Sequence, residues 1–215
     1  MAPYVTQSLG IDISPSMVNE YNTGASNQGI PSKEMRAAVG NLIDPNPSPP
    51  NPGEGEEDFK GEEWWDFDVA AVGLGAHHFA DPGLAFRRLG ERLREGGVLF
   101  IIDFLPHGEL DEGHSHSNSH SHNHGNGHSH GDSHQHGKAE GKGDRKVVGI
   151  GDLSGAAKTI THHGFSKENV QTMFEDAGVG EGFRHVILGK GIVFKADGKE
   201  LRREVFMARG VKGRV

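Results

Sequence analysis

The chain has no cysteine among its 215 residues, which excludes disulfides and thiolate metal sites and suits a reducing compartment. Positive charge is also scarce. Lys and Arg number 22 against 30 Asp and Glu, a formal net charge of −8 at pH 7. Binding a nucleic acid takes clustered Lys and Arg to neutralise phosphates, so no nucleic-acid partner is expected. No apolar stretch approaches the roughly 20 residues needed to cross a bilayer, and "MAPYVTQSLG" lacks the basic and apolar regions of a signal peptide. A cytoplasmic protein with no membrane partner is therefore expected. Hydrophobic residues make up only 33%, below the usual range for a globular domain. That deficit is local, because residues 44–63 and 106–146 contain almost no aliphatic side chains. The reading is one domain over 1–215, interrupted by an acidic, Pro-rich loop at 44–63 and a His/Gly/Ser-rich insertion at 106–146, both too polar to fold alone.

The remaining segments are ordinary core-forming sequence. In "VTQSLGIDISPSMVNEYN" a β-prone run ends at Asp12. Ser14 then caps a helix with Pro15 at its first position, where a missing N–H costs nothing. "MRAAVGNLIDP" is a short strand finishing at Gly40 and Asn41. "FDVAAVGLGAHHFADPGLAFRRLGERLREGGVLFIIDF" carries a buried strand, a helix capped by Asp81 and opened by Pro82, and a second buried strand ending at Asp103. Gly96 and Gly97 are expected to stop that helix. Ala85, Leu89 and Leu93 form its buried stripe, and Arg87, Arg88, Arg92 and Arg94 read as a solvated face. Strand, helix and strand with short connections make a right-handed βαβ unit. "GFSKENVQTMFEDAGV" is a helix capped by Ser166, with Phe165 stapled to Val170. "FRHVILGKGIVF" and "LRREVFMAR" read as two closing strands joined by the Asp-Gly turn of "KADGKE".

This order resembles the class I S-adenosylmethionine-dependent methyltransferases. "GIDISPSM" is similar to their second-strand motif, the long block above to their fourth strand, helix and fifth strand, and "HHGFS" to the segment before their last helix. The resemblance implies an α/β, Rossmann-like sheet, mostly parallel, with a C-terminal antiparallel hairpin and strand order 3-2-1-4-5-7-6. It also implies S-adenosylmethionine as cofactor and a small-molecule methyl acceptor. Asp12 would accept hydrogen bonds from the ribose hydroxyls, as the acid at a strand end does in dinucleotide folds. Ile13 and Met17 would offer apolar surface to adenine, with Asn41 and Leu42 beside it. Gly73 and Leu74 would bring backbone close to the reactive methyl. His77 and His78 are the candidate catalytic residues, since imidazole is a base near neutral pH. His162 and His163 would line the substrate pocket. The family's first strand and its Gly-rich turn should precede Asp12 by about 20 residues, yet only eleven residues do so. The expected sheet thus lacks its central strand, leaving its neighbours either to pair directly or to keep two open edges. A chain truncated at its N-terminus, with impaired cofactor binding, is the expectation.

The tract "HSHSNSHSHNHGNGHSHGDSHQH" holds nine of the 15 histidines. Imidazoles at such spacings bind Zn or Ni, but without a carboxylate or cysteine framework the binding would be labile and adventitious, so no defined metal site is expected. Protonating all nine would take the net charge from −8 to about +1. Two functional classes compete: a methyltransferase, and a non-catalytic homologue or His-rich metal-binding protein. The acceptor and the oligomeric state are not encoded in any motif.

Overall fold

A computed structural model describes residues 4–44, 59–107, 159–189, 191–196 and 199–214. The expectations for 45–58 and for the His-rich tract lie outside these residues.

Strand β1 (Ser8–Asp12), helix α1 (Pro15–Asn27) and strand β2 (Met35–Val39) form a parallel βαβ unit. Its local chemistry follows the sequence: the Ser14 side chain accepts the Met17 N–H at 3.4 Å, and Pro15 opens the helix. Asn22 on α1 donates to the Ala37 carbonyl at 3.0 Å and accepts the Ala37 N–H at 2.7 Å, so its amide satisfies part of β2 as another strand would. A small core of Ala38, Phe59 and Trp64 packs with Leu9, Ile11 and Leu42. Phe59 belongs to the acidic stretch read as a solvated loop, yet it is buried and meets Trp64 edge-to-face at 4.9 Å. Gly40 makes this possible, since a Cβ there would collide with the Phe59 ring.

The second and larger unit contains β3 (Phe67–Gly73), α2 (Pro82–Arg92), β4 (Leu93–Phe104), α3 (Lys167–Asp176), β5 (Glu181–Ile187) and β8 (Val205–Val211). β3 and β4 are parallel, and β8 runs antiparallel between β4 and β5, giving the order β3-β4-β8-β5. Phe86 of α2 and Phe174 of α3 meet edge-to-face at 5.7 Å. They pack in a core with Leu99, Ile101, Val170 and Phe206, all fully buried. Asp81 and Ser166 cap α2 and α3 as expected, accepting the Leu84 and Asn169 N–H groups at 2.8 and 3.1 Å.

Three sequence expectations are corrected. Helix α2 ends at Arg92, not at the glycines, and 93–97 already extend β4. Lys212 explains the early stop: its ammonium donates to the Leu93 and Glu91 carbonyls at 2.7 and 3.2 Å, a cation on the negative end of the helix. Arg92 is not on a solvated face; it lies over the Trp65 ring, 4.8 Å from its centroid. Finally, the two closing runs each split. The Asp-Gly segment joins a separate antiparallel ribbon, β6 (Ile192–Ala196) with β7 (Lys199–Arg203), while β5 and β8 complete the main sheet.

Placed in the family order, the strands run β2-β1, then β3-β4-β8-β5. β1 pairs only with β2, and β3 only with β4, so no described strand bridges them. Among the described residues β1 and β3 do not pair with each other, and Val69 on β3 is 57% exposed.

Candidate functional site

The candidate residues gather at the carboxyl ends of the parallel strands, where open α/β sheets bind ligands. They form two groups, one on each sheet.

On the first sheet, Asp12 closes β1. Its Oδ1 accepts the Ser14 N–H at 2.8 Å, and its carbonyl accepts the Gly40 N–H at 3.0 Å. The other carboxylate oxygen, Oδ2, takes no hydrogen bond among the described residues and remains an acceptor for a ligand. Ile13 and Met17 stand beside it, 73% and 59% exposed, apolar side chains without an internal partner. Asn41 uses its side-chain oxygen locally, accepting the Ile43 N–H at 3.1 Å in an Asx turn. Leu42 packs against the small core, so its side chain is already committed there.

On the second sheet, β3 ends at Gly73, where an added Cβ would meet no protein atom within 4 Å. Leu74 follows with φ of 54°, the left-handed region that costs a non-glycine residue about 1–2 kcal/mol. Its N–H is tied to the Ile102 carbonyl at 2.8 Å, which holds the strained turn.

The two histidine pairs come together here. His77 is 6% exposed and its ring lies 4.1 Å from that of His78 and 5.0 Å from Phe104. His78 Nδ1 is 3.0 Å from the Thr159 hydroxyl. The His77 carbonyl accepts the N–H groups of Thr161 and His162, at 3.0 and 3.1 Å, and the Thr161 hydroxyl at 3.0 Å. The His163 carbonyl accepts the His107 N–H at 3.0 Å, and those two rings are 5.7 Å apart. Gly164 permits this docking: it has φ of 86°, and a Cβ would collide with the Leu105 carbonyl. The "HHGFS" segment is thus strapped over the ends of β3 and β4.

The sequence reading missed Asp103. It is fully buried; Oδ1 lies 2.7 Å from His77 Nδ1 and accepts the Phe104 N–H at 2.7 Å, and Oδ2 accepts the His77 N–H at 3.2 Å. A signal was available, because Asp103 closes an apolar strand as Asp12 does. Among the described residues, no group of three or more His, Cys, Asp or Glu could hold a metal ion, and no helix is long and apolar enough to cross a membrane.

No protein-family model matches the chain. An uncharacterized methyltransferase from Schizosaccharomyces pombe is 32% identical over 114 residues, covering 53% of this chain. The chain spans only 37% of that relative's length. Among solved structures, the YcgJ protein of Bacillus subtilis superposes with a TM-score of 0.54 at 13% identity, over 99% of this chain and 85% of that one. A putative methyltransferase from Bacillus halodurans gives 0.51 at 14% identity, over 99% and 86%. The fold is therefore the Rossmann-like one of class I methyltransferases. In sequence the chain is similar to the S. pombe methyltransferase over those 114 residues.

Proposed function

We propose that this chain takes part in S-adenosylmethionine-dependent methyl transfer to a small-molecule acceptor, in the cytoplasm. The observation that carries the reading is Asp12: a carboxylate at the end of a parallel strand, with Oδ2 open and two exposed apolar residues beside it. This arrangement fits the nucleoside half of the cofactor, since vicinal hydroxyls need an acceptor and adenine needs an apolar face. Asp12 would hold the ribose, Ile13 and Met17 the adenine, and the Asn41 amide the rim. The backbone at Gly73 and Leu74, with no side chain in the way at Gly73, would face the reactive end. When bound, the cofactor supplies an electrophilic methyl group. The chain's task is then positioning, which supplies much of the barrier reduction in such transfers. His162 and His163, in the strap over the strand ends, would line the acceptor's approach.

Isothermal calorimetry with S-adenosylmethionine tests the reading. Each hydrogen bond to a charged acceptor contributes about 1.5–3 kcal/mol, so Asp12→Ala should weaken binding by roughly 10- to 100-fold or more. Equal affinity in the two proteins, or no binding by either, sinks the assignment and leaves the non-catalytic reading.

A further inference from the structure

We infer that Asp103 fixes His77 in a single neutral tautomer, with its proton on Nδ1 and a lone pair on Nε2, and that Nε2 takes the proton of a hydroxyl-bearing acceptor. The acceptor class rests on the methyl-transfer reading; the tautomer does not.

The hydrogen-bond inventory of the pair leads to this assignment. Both Asp103 oxygens already accept main-chain N–H groups, from Phe104 and His77. That pattern suits a carboxylate, which can only accept. The short contact from Oδ1 to Nδ1, at 2.7 Å, must then be donated by the ring. In a neutral imidazole the other nitrogen is thereby left as an acceptor. The main chain of His77 is equally committed, its N–H to Asp103 and its carbonyl to Thr161 and His162. Nε2 is the one polar atom of the residue with no partner among the described residues.

The rest of the residue is held rigidly, between the Phe104 ring, His78 and the 161–162 strap. A buried imidazole with one nitrogen anchored and the other open is built to move a proton at that open atom. It suits an acceptor that must shed a proton as its oxygen is methylated. A thioether has no proton to give. An amine already neutral can lose its proton to water afterwards. In the proposed step the hydroxyl proton would pass to Nε2, forming imidazolium beside the Asp103 carboxylate. The oxygen's freed electron pair would form the new O–CH3 bond as the methyl's bond to the donor sulfur breaks, that sulfur leaving as a neutral thioether with the bonding pair. Asp103 touches neither reactant and is a positioning residue.

The tautomer is read directly by long-range 1H–15N correlation of the imidazole side chains, with His77→Gln identifying the signal. In its neutral form the wild-type ring should show Nδ1 protonated and Nε2 bare. Asp103→Ala removes the acceptor, so the proton should no longer be held on Nδ1. An Nε2–H tautomer in the wild type overturns the inference without recourse to any variant, and a single Nδ1–H tautomer retained in a folded Asp103→Ala protein does so too. For the acceptor class, a panel of phenols and alcohols is compared with amines. His77→Gln should lower kcat on hydroxyl acceptors by about 100-fold or more, with little change in KM; methylation of amines alone, or an unchanged kcat on hydroxyls, refutes the base. Should the calorimetry on Asp12 fail, the methyl-transfer reading falls, while the tautomer measurement still decides the His77–Asp103 pairing independently.

Discussion

The two sheets of this protein carry the two halves of its candidate site on unequal foundations. The β3-β4-β8-β5 sheet has helices packed on it and a core in which Phe86, Phe174, Phe206, Leu99 and Ile101 are essentially sealed from water. The β1-β2 sheet has a core of three buried residues, one of them contributed by the far end of an acidic loop. The Arg92 side chain joins the two, reaching over Trp65 and toward the Phe59 carbonyl at 3.5 Å, as does Ile43, which packs on the larger core. Asp12, the proposed ribose partner, thus stands on the less cohesive unit, and the anchored His77 on the more cohesive one. Binding a ligand that touches both would favour their docked arrangement by mass action. This is a physical reason for a cofactor to stabilise the fold as well as serve the reaction.

The largest test of that contrast is truncation of one aromatic on each side. Phe206→Ala, in the sealed core, should cost about 3–5 kcal/mol and bring the protein near its unfolding threshold. Trp64→Ala, in a core of three buried residues, should fall at the low end of that range, about 3 kcal/mol. Native-state hydrogen exchange should show the same order, with Leu99 and Ile101 amides protected longer than those of β1 and β2. Equal costs and equal protection would mean that the two units unfold as one.

A smaller effect separates two glycines at the strand ends. Gly164→Ala puts a Cβ at φ of 86° and into the Leu105 carbonyl, so a loss of about 2–3 kcal/mol is expected by thermal melting, with release of the strap. Gly73→Ala meets no protein atom within 4 Å, so stability should move by no more than about 0.5 kcal/mol. Its cofactor affinity should fall nonetheless, because the space there is read as reserved for ligand. A stable Gly73→Ala protein with wild-type affinity would remove Gly73 and Leu74 from the site.

Much of this arrangement is legible in the sequence, and the failures have physical causes. Caps and periodicity are local, so Ser14, Asp81 and Ser166 announce their helices without reference to anything distant. The βαβ unit over 67–104 follows from apolar runs and short connections. What depends on distant partners does not announce itself. The end of α2 at Arg92 is set by Lys212, at the far end of the chain. Phe59 reads as part of a polar loop because its pocket is made by Gly40 and Trp64. The tract from Phe183 to Phe194 looks like one strand, whereas Gly189 and Gly191, with φ of 60° and 77°, turn it into two. The same limit hid Asp103. An acid at a strand end was recognised in Asp12 because its neighbours matched a motif, while the value of Asp103 lies in a side chain 26 residues earlier.

The smallest predicted effect sharpens the comparison through pH. His185 on β5 stacks on Phe206 with ring centroids 4.8 Å apart, and its Nε2 is buried without a hydrogen-bond partner. Burial first, and then the nearby Lys167, lower its pKa below the ordinary 6.5, against a partly offsetting pull from Glu168. The folded protein therefore binds this proton less readily than the unfolded chain does. Stability is whole above pH 6.5 and is lost as pH falls from there through the lowered folded-state value. No histidine lies between residues 1 and 44, so this loss should appear on the larger sheet and spare β1 and β2. Melting curves from about pH 8 to about pH 5 for the wild type and His185→Leu provide the measurement, since the two proteins differ only at this residue. The wild type should lose more stability over that range than the variant, with exchange accelerated in β5 and β8 but unchanged in β1 and β2. Parallel losses in the two proteins would show that acid acts on some other group, and equal acceleration in both sheets would show that the units are not separate after all.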